Sequence, residues 1–276
     1  MSRSKRILVT FAVAGLICAA YLWLLGVATV FALEARYVAW KIPVVKKTPL
    51  QLPDQTIAQG AGRKLAYFGY EFEVPWEIDE AKSKELGQYN PQPPKEQFIA
   101  FRSGNRLTVF RIAPKEFVNN FLSMGKAVEG RCASPDDEAS LALKLLLCDL
   151  GAPKALYGED VLQSDYSFKE RVLETTPDKV GLLTPRREAA ASAVLLVIKG
   201  IMMPGGSESG IYRIQTGDFR GFQFGDPRSR RPLLLEIYNE EGGFSFIFAQ
   251  QKNGSEPPIT QAEINRVIQS LRKSSN

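Results

Sequence analysis

Two short stretches, Ser123-Met124-Gly125-Lys126 and Ser270-Leu271-Arg272-Lys273, repeat the serine-x-x-lysine spacing of penicillin-interacting enzymes. There a lysine activates the serine without any histidine. Both stretches lie in segments whose other residues packing explains, and the companion S-x-N and K-T-G elements are missing. The chain contains no His at all, which removes Ser-His-Asp and Cys-His nucleophiles, His-ligated zinc and most haem sites. No catalytic residue, cofactor or metal site is therefore expected.

Other chemistry-bearing residues have simple structural roles available. Glu77, Asp79 and Glu80, then Asp136, Asp137 and Glu138, then Glu240 and Glu241 form three acidic groups. Glycoside hydrolysis needs two carboxyls facing one another across a bond, and adjacency in sequence does not supply that. The second group suits a helix N-terminus and the third a solvated turn. The Gly-rich run Met203–Gly210 lacks the Lys-Ser/Thr pair of a phosphate loop and reads as a connection. Arg228, Arg230 and Arg231 crowd one hairpin tip, a solvated turn or a contact for lipid headgroups or an acidic partner.

Cys18 falls in an apolar run, while Cys132 and Cys148 fall beyond it. If 135–148 is one helix it rises about 20 Å, and the three residues back to Cys132 recover about 10 Å. That leaves more than the roughly 7 Å that a disulfide spans between Cα atoms. Either the helix stops early or the thiols stay free.

What must position these residues begins with a membrane segment. Ile7–Leu33 is a run of 27 residues without a charge. As a helix it would rise about 40 Å, enough to cross a hydrocarbon core of about 30 Å with tilt. It is too long for the apolar part of a cleaved signal and ends without a small-x-small site, so an uncleaved anchor is expected. Arg3, Lys5 and Arg6 favour a cytoplasmic N-terminal tail over residues 1–6, with Arg36, Lys41, Lys46 and Lys47 as a competing flank. Tyr37 and Trp40 suit headgroup depth just past the span.

The formal charge of +5 belongs to this segment. Residues 1–47 hold seven of the 35 Lys and Arg but one of the 30 acids, so the rest of the chain carries 28 basic and 29 acidic residues. A near-neutral domain without a basic face is no candidate for nucleic-acid binding. Composition, 45% hydrophobic and 24% charged over 276 residues, is that of a globular chain.

Residues 34–64, with Pro43, Pro49, Pro53, Gly60 and Gly62, read as a juxtamembrane segment and tether. From Leu65 the period becomes two, with Phe68, Tyr70, Phe72 and Val74 on a buried face and Glu71 and Glu73 opposite. Pro75 ends that strand. Trp76 beyond it could plug the core edge or stand out as a contact residue. Gln97–Arg102 and Arg106–Ile112 form a hairpin through Ser103-Gly104-Asn105. Helices are expected around Phe117–Met124, over 134–150, over Asp165–Thr175 and over Arg186–Ile201. Four strands follow from Ile211 as an antiparallel meander. A closing helix has Thr260 and Glu263 as a capping box and Ile264, Val267, Ile268 and Leu271 as its core stripe.

The order predicts one α+β domain over 65–272, an antiparallel sheet covered by helices, with 273–276 a disordered tail. The segments GYEFEVPWE, GFQFGDPRSRRPLLLEIYNEEGGFSFIFAQ and INRVIQSLR together resemble the Mog1/PsbP-like fold, which an aromatic strand to Pro-Trp opens and a meander plus helix closes. The resemblance covers the two ends and leaves Pro114–Gly210 unmatched. It implies an architecture and an accessory or assembly role, with no site residue carried over. The expectation is thus a single-pass protein of the plasma (inner) membrane, N-terminus cytoplasmic, whose extracytoplasmic domain is a non-catalytic interaction or assembly module. Its partners are then the lipid bilayer and a protein. A tethered small-ligand or lipid-binding domain is the alternative, and a His-free hydrolase a third.

Overall fold

A computed structural model describes residues 13–17, 20, 26–87, 96–123, 158, 160–181, 184–202, 210–229, 231–250 and 258–274. The chain divides into two compact units. The first comprises 1–48, 120–162 and 170–203, and the second 49–119, 163–169 and 204–276.

The second unit is built on a seven-stranded sheet. Its strands are β1 (Leu50–Gln51), β4 (Glu96–Ala100), β5 (Arg106–Ile112), β6 (Ile211–Thr216), β7 (Phe219–Phe224), β8 (Leu233–Asn239) and β9 (Gly242–Ala249), in the spatial order β1-β6-β7-β8-β9-β5-β4. The meander and the Ser103-Gly104-Asn105 hairpin pair antiparallel, as their turn residues predict. The sheet is nevertheless mixed, because β1 lies parallel to β6 through Leu50↔Tyr212 and Gln51↔Arg213. Gly221 is required in β7: a Cβ there would lie 1.9 Å from the Glu236 carbonyl oxygen on β8.

A second sheet joins β2 (Arg63–Tyr67), β3 (Tyr70–Val74) and β10 (Arg272–Lys273). The single strand expected from Leu65 is in fact a hairpin, with Leu65 opposite Phe72 and Tyr67 opposite Tyr70. Phe68 (φ 58°) and Gly69 (φ 77°) form the two-residue turn, both left-handed as a right-twisted hairpin needs. On β3 Tyr70, Phe72 and Val74 are buried as predicted. Of the tail expected to be disordered from 273, Lys273 pairs with Tyr70 of β3 and the Ser274 N–H donates to the Gly69 carbonyl at 3.0 Å, while 275–276 lie outside the described residues.

Both sheets close on one core. Leu107, Val109, Leu235, Ile237, Phe244, Phe246 and Phe248 meet Tyr70, Phe72 and Val74 and the helix α5 (Gln261–Gln269). α5 has the predicted capping box, and Ile264, Val267, Ile268 and Leu271 are all buried. The proline-rich stretch expected as a tether is tied to this unit. The Asn265 amide donates to the carbonyls of Asp54 (3.0 Å) and Thr56 (2.8 Å), and the Ala58 N–H donates to Ala262 (3.0 Å). Backbone groups denied helix partners by proline are thereby satisfied.

The first unit contains α1 (Gly26–Lys41), a 3-10 turn Pro43–Lys46, the second half of α3 (Asp165–Glu174) and α4 (Arg186–Met202). A further short helix, α2 (Glu80–Gly87), belongs to the second unit. α1 continues past Leu33 because Glu34–Lys41 holds no breaker before Pro43. It buries Ala32, Ala35 and Ala39 and packs on α4, whose Ala189, Ala190, Ala193, Leu195 and Leu196 are buried in turn. Among the described residues no helix is long and apolar enough to cross a membrane. The spanning helix expected over Ile7–Leu33 finds no support there, and 7–12, 18–19 and 21–25 lie outside the described residues. So do the helix expected over 134–150 and both Cys132 and Cys148.

Candidate functional site

On the second unit, the sheet face opposite the aromatic core carries Arg220 and Phe222 of β7 and Glu236 and Tyr238 of β8. The first turn of α3 packs here, the Tyr166 ring stacking on Phe222 with centroids 5.3 Å apart and planes at 7°. The Arg220 guanidinium sits 5.1 Å above the Tyr166 ring, and Arg213 Nη1 donates to the Tyr166 hydroxyl at 3.5 Å. Between this turn, the residues after β5 and the β6–β7 and β8–β9 turns lies a cleft of about 760 Å³, with Asp165, Tyr166, Asp218, Arg220, Tyr238 and Glu240 among its lining.

Asp165 is the buried acid of this cleft, 4% exposed. Its Oδ1 accepts the Val118 N–H at 2.9 Å and so caps the helical residues 116–123 from a distant part of the chain. Its Oδ2 is buried and has no hydrogen-bond partner. Desolvation raises its pKa, opposed by the amides of Val118, Phe117 and Glu116. One turn on, Lys169 is buried in an ion pair with Glu236, its ammonium 5.1 Å from the Phe117 ring and 5.5 Å from that of Tyr238. Burial pushes this lysine down to about 7 against the pull of Asp165, and it holds the Tyr238 hydroxyl well above its ordinary range. The arrangement can bind charge, but Lys169 is spoken for by Glu236, and among the described residues no group of His, Cys, Asp or Glu could hold a metal ion.

The sequence singled out other residues. Trp76 is half-buried: its indole packs on Phe101 (4.9 Å between centroids) and Phe248 (6.2 Å), and Nε1 donates to Glu263 at 3.1 Å. It seals the core edge. Arg228 and Arg231 are exposed on a turn shaped by Asp226 and Ser229, whose side chains accept their N–H groups at 2.8 and 3.3 Å; Arg230 lies outside the described residues. Tyr37 and Trp40 stand out from α1, 58% and 69% exposed, with rings 6.1 Å apart and the Lys41 ammonium 4.5 Å from the Trp40 ring. Tyr37 and Trp40 belong to the first unit, and Trp76, Arg228 and Arg231 to the second.

In the second serine-x-x-lysine stretch, Ser270 and Lys273 each have partners elsewhere. Ser270 donates to the Val267 carbonyl (3.0 Å) and accepts the Glu73 N–H (2.8 Å), while Lys273 pairs with Glu241. Ser123 donates to Asn120 at 2.8 Å, and 124–126 lie outside the described residues. Glu241, expected as a solvated turn residue, also accepts from the Tyr70 hydroxyl at 2.9 Å, and its pKa is lowered by Lys273 and Tyr70.

Sequence reasoning missed Asp165. Its only local signal is the i, i+4 spacing to Lys169 beside the apolar Phe168 and Val172, which equally describes a solvated helix start. The amides that make it a cap come from residues some 47 positions away. Compared with known proteins, the chain matches no family model, no curated protein and no solved structure.

Proposed function

We propose that the chain is a membrane-anchored, non-catalytic interaction or assembly module, held at the plasma (inner) membrane with its N-terminus cytoplasmic and its C-terminal part outside. The observation that supports this reading most is the outward face of α1. Leu33, Tyr37 and Trp40 recur at the i, i+4, i+7 spacing and are each more than half exposed, while Ala32, Ala35 and Ala39 are buried on the other side. An aromatic and aliphatic face following the apolar run Ile7–Leu33, with Arg36 and Lys41 exposed beside it, suits the interface of a bilayer. The assembly role leans on the resemblance to the Mog1/PsbP-like fold and on the exposed Arg228 and Arg231 as contacts for an acidic partner. A lipid pocket has less support, since the cleft beside Asp165 is lined mostly by polar and charged side chains.

Fractionation of cells expressing the full chain tests the anchor. The protein is expected in the membrane after alkaline carbonate extraction, and a reporter active only outside the cytoplasm, fused after Asn276, is expected to be active. Release by carbonate removes the anchor; a silent reporter on a membrane-bound fusion reverses the orientation. Cross-linking the intact protein in its membrane then tests the assembly role. One reproducible protein partner, lost in an Arg228→Glu/Arg231→Glu variant, supports it; no specific partner ends it.

A further inference from the structure

The cleft beside α3 carries more acid than base. Asp165, Asp218, Glu240 and Glu241 line it against Lys115 and Arg220. Arg220 is engaged over Tyr166, and Glu241 with Lys273 and Tyr70. What remains is a polar hollow of about 760 Å³, within the size range of small-molecule sites, with Asp218 and Glu240 exposed at its rim.

Asp165 sets this hollow apart from an ordinary acidic patch. It is a wall residue, 4% exposed, and its Oδ2 is the one buried side-chain N or O atom among the described residues that lacks a hydrogen-bond partner. A buried acceptor left without a donor is a costly and uncommon state, and a ligand that brings the donor removes the cost. Oδ1 is already fixed by Val118, so the carboxylate is pre-oriented and loses little freedom on binding. A lone inorganic cation fits poorly, because no set of ligands able to hold a metal exists among the described residues. An N–H donor with positive charge fits both the orphan oxygen and the surplus of carboxylates. The aromatic rings offer no open face: that of Tyr166 lies between Phe222 and Arg220, and that of Tyr238 is buried under Lys169.

We infer that this cleft binds a small alkylammonium compound, one ammonium group donating to Asp165 Oδ2 and a second positive group held at the rim by Asp218 and Glu240. Because Oδ2 is shut off from water, entry is coupled to a small opening of the wall. The inference is independent of the membrane reading, since every residue it uses lies in the second unit.

Calorimetric titration of the full chain in detergent micelles tests it, with 1,4-diaminobutane as probe and 1,4-butanediol as the uncharged control. Saturable binding of one diamine is expected, with no binding of the diol and with an affinity that falls as salt is added. Asp165→Asn keeps an oxygen for the Val118 amide and should weaken the diamine at least tenfold. Should that variant fail to fold, Asp218→Asn/Glu240→Gln, confined to exposed turns, should weaken it at least fivefold. Absence of saturable diamine binding, equal binding of the diol, or an unchanged affinity in whichever of these variants folds would overturn the assignment.

Discussion

The rings of Phe72 and Phe246 meet edge to face, centroids 5.7 Å apart and planes at 87°, and so join the three-stranded sheet to the seven-stranded one. Phe72 is 2% exposed and also meets Tyr67 at 6.2 Å. Phe72→Ala therefore opens a cavity between two sheets that cannot slide together without breaking their own ladders. A loss of about 3–5 kcal/mol is expected in denaturant melts of the full chain in micelles. A loss below about 1 kcal/mol would mean that the ring is not in a core.

The face of β3 opposite Phe72 is only half open. Glu73 pairs with Arg266 of α5 at 3.2 Å, the two side chains 32% and 11% exposed, whereas Glu71, 24% exposed, pairs with an Arg272 that is 61% exposed. Deleting Glu73 leaves a largely buried guanidinium short of its anion. Glu73→Ala is expected to cost about 1 kcal/mol, and Glu71→Ala less than about 0.5 kcal/mol. Equal effects in the same melts would show that α5 does not need the pair.

Legibility in the sequence followed locality. The meander, the Ser103-Gly104-Asn105 hairpin and the α5 capping box are each written in residues that are neighbours along the chain, and each is present. The Phe68-Gly69 turn was hidden because apolar residues continue through it and Phe is an unusual occupant of positive φ. β1 was hidden because two residues paired to a distant edge leave no period to detect. Asp165 was hidden most completely: burial, cap and orphan oxygen all come from tertiary packing, while its own neighbourhood reads as the start of a solvated helix.

Glu263 joins two structures with one carboxylate. Oε2 accepts the Thr260 N–H at 2.7 Å and closes the capping box, and Oε1 accepts the Trp76 indole N–H at 3.1 Å. Thr260→Ala should cost about 1 kcal/mol, the usual loss for a cap. Glu263→Ala should cost more, about 2 kcal/mol, because the indole donor is stranded as well. Trp76→Phe removes that donor, so in the double variant the two losses should add to less than their sum by at least about 0.5 kcal/mol. Strict additivity would mean that the indole hydrogen bond contributes nothing.

In the first unit, the fully buried Lys199 donates from Nζ to three carbonyls: Lys47 at 2.6 Å, Leu173 at 2.7 Å and Thr175 at 2.8 Å. The last two belong to the C-terminal end of α3, where a cation is favoured. Lys199→Met strands these acceptors and should destabilise the protein by about 2–4 kcal/mol at pH 7. Burial, aided by the nearby Lys179, pushes the lysine from 10.5 down to about 8. Between those pH values the unfolded chain holds this proton more fully than the folded one. Wild-type stability therefore rises with pH through that window and is lost again as pH falls toward 8. The methionine variant lacks this gain, while Lys169 titrates alike in both proteins and cancels. Melts at pH 7, 8, 9 and 10 should show the gap between wild type and Lys199→Met widening from pH 8 upward. A gap that stays constant would mean that burial does not lower this lysine, and a gap that narrows would mean that its charged form is the one the fold prefers.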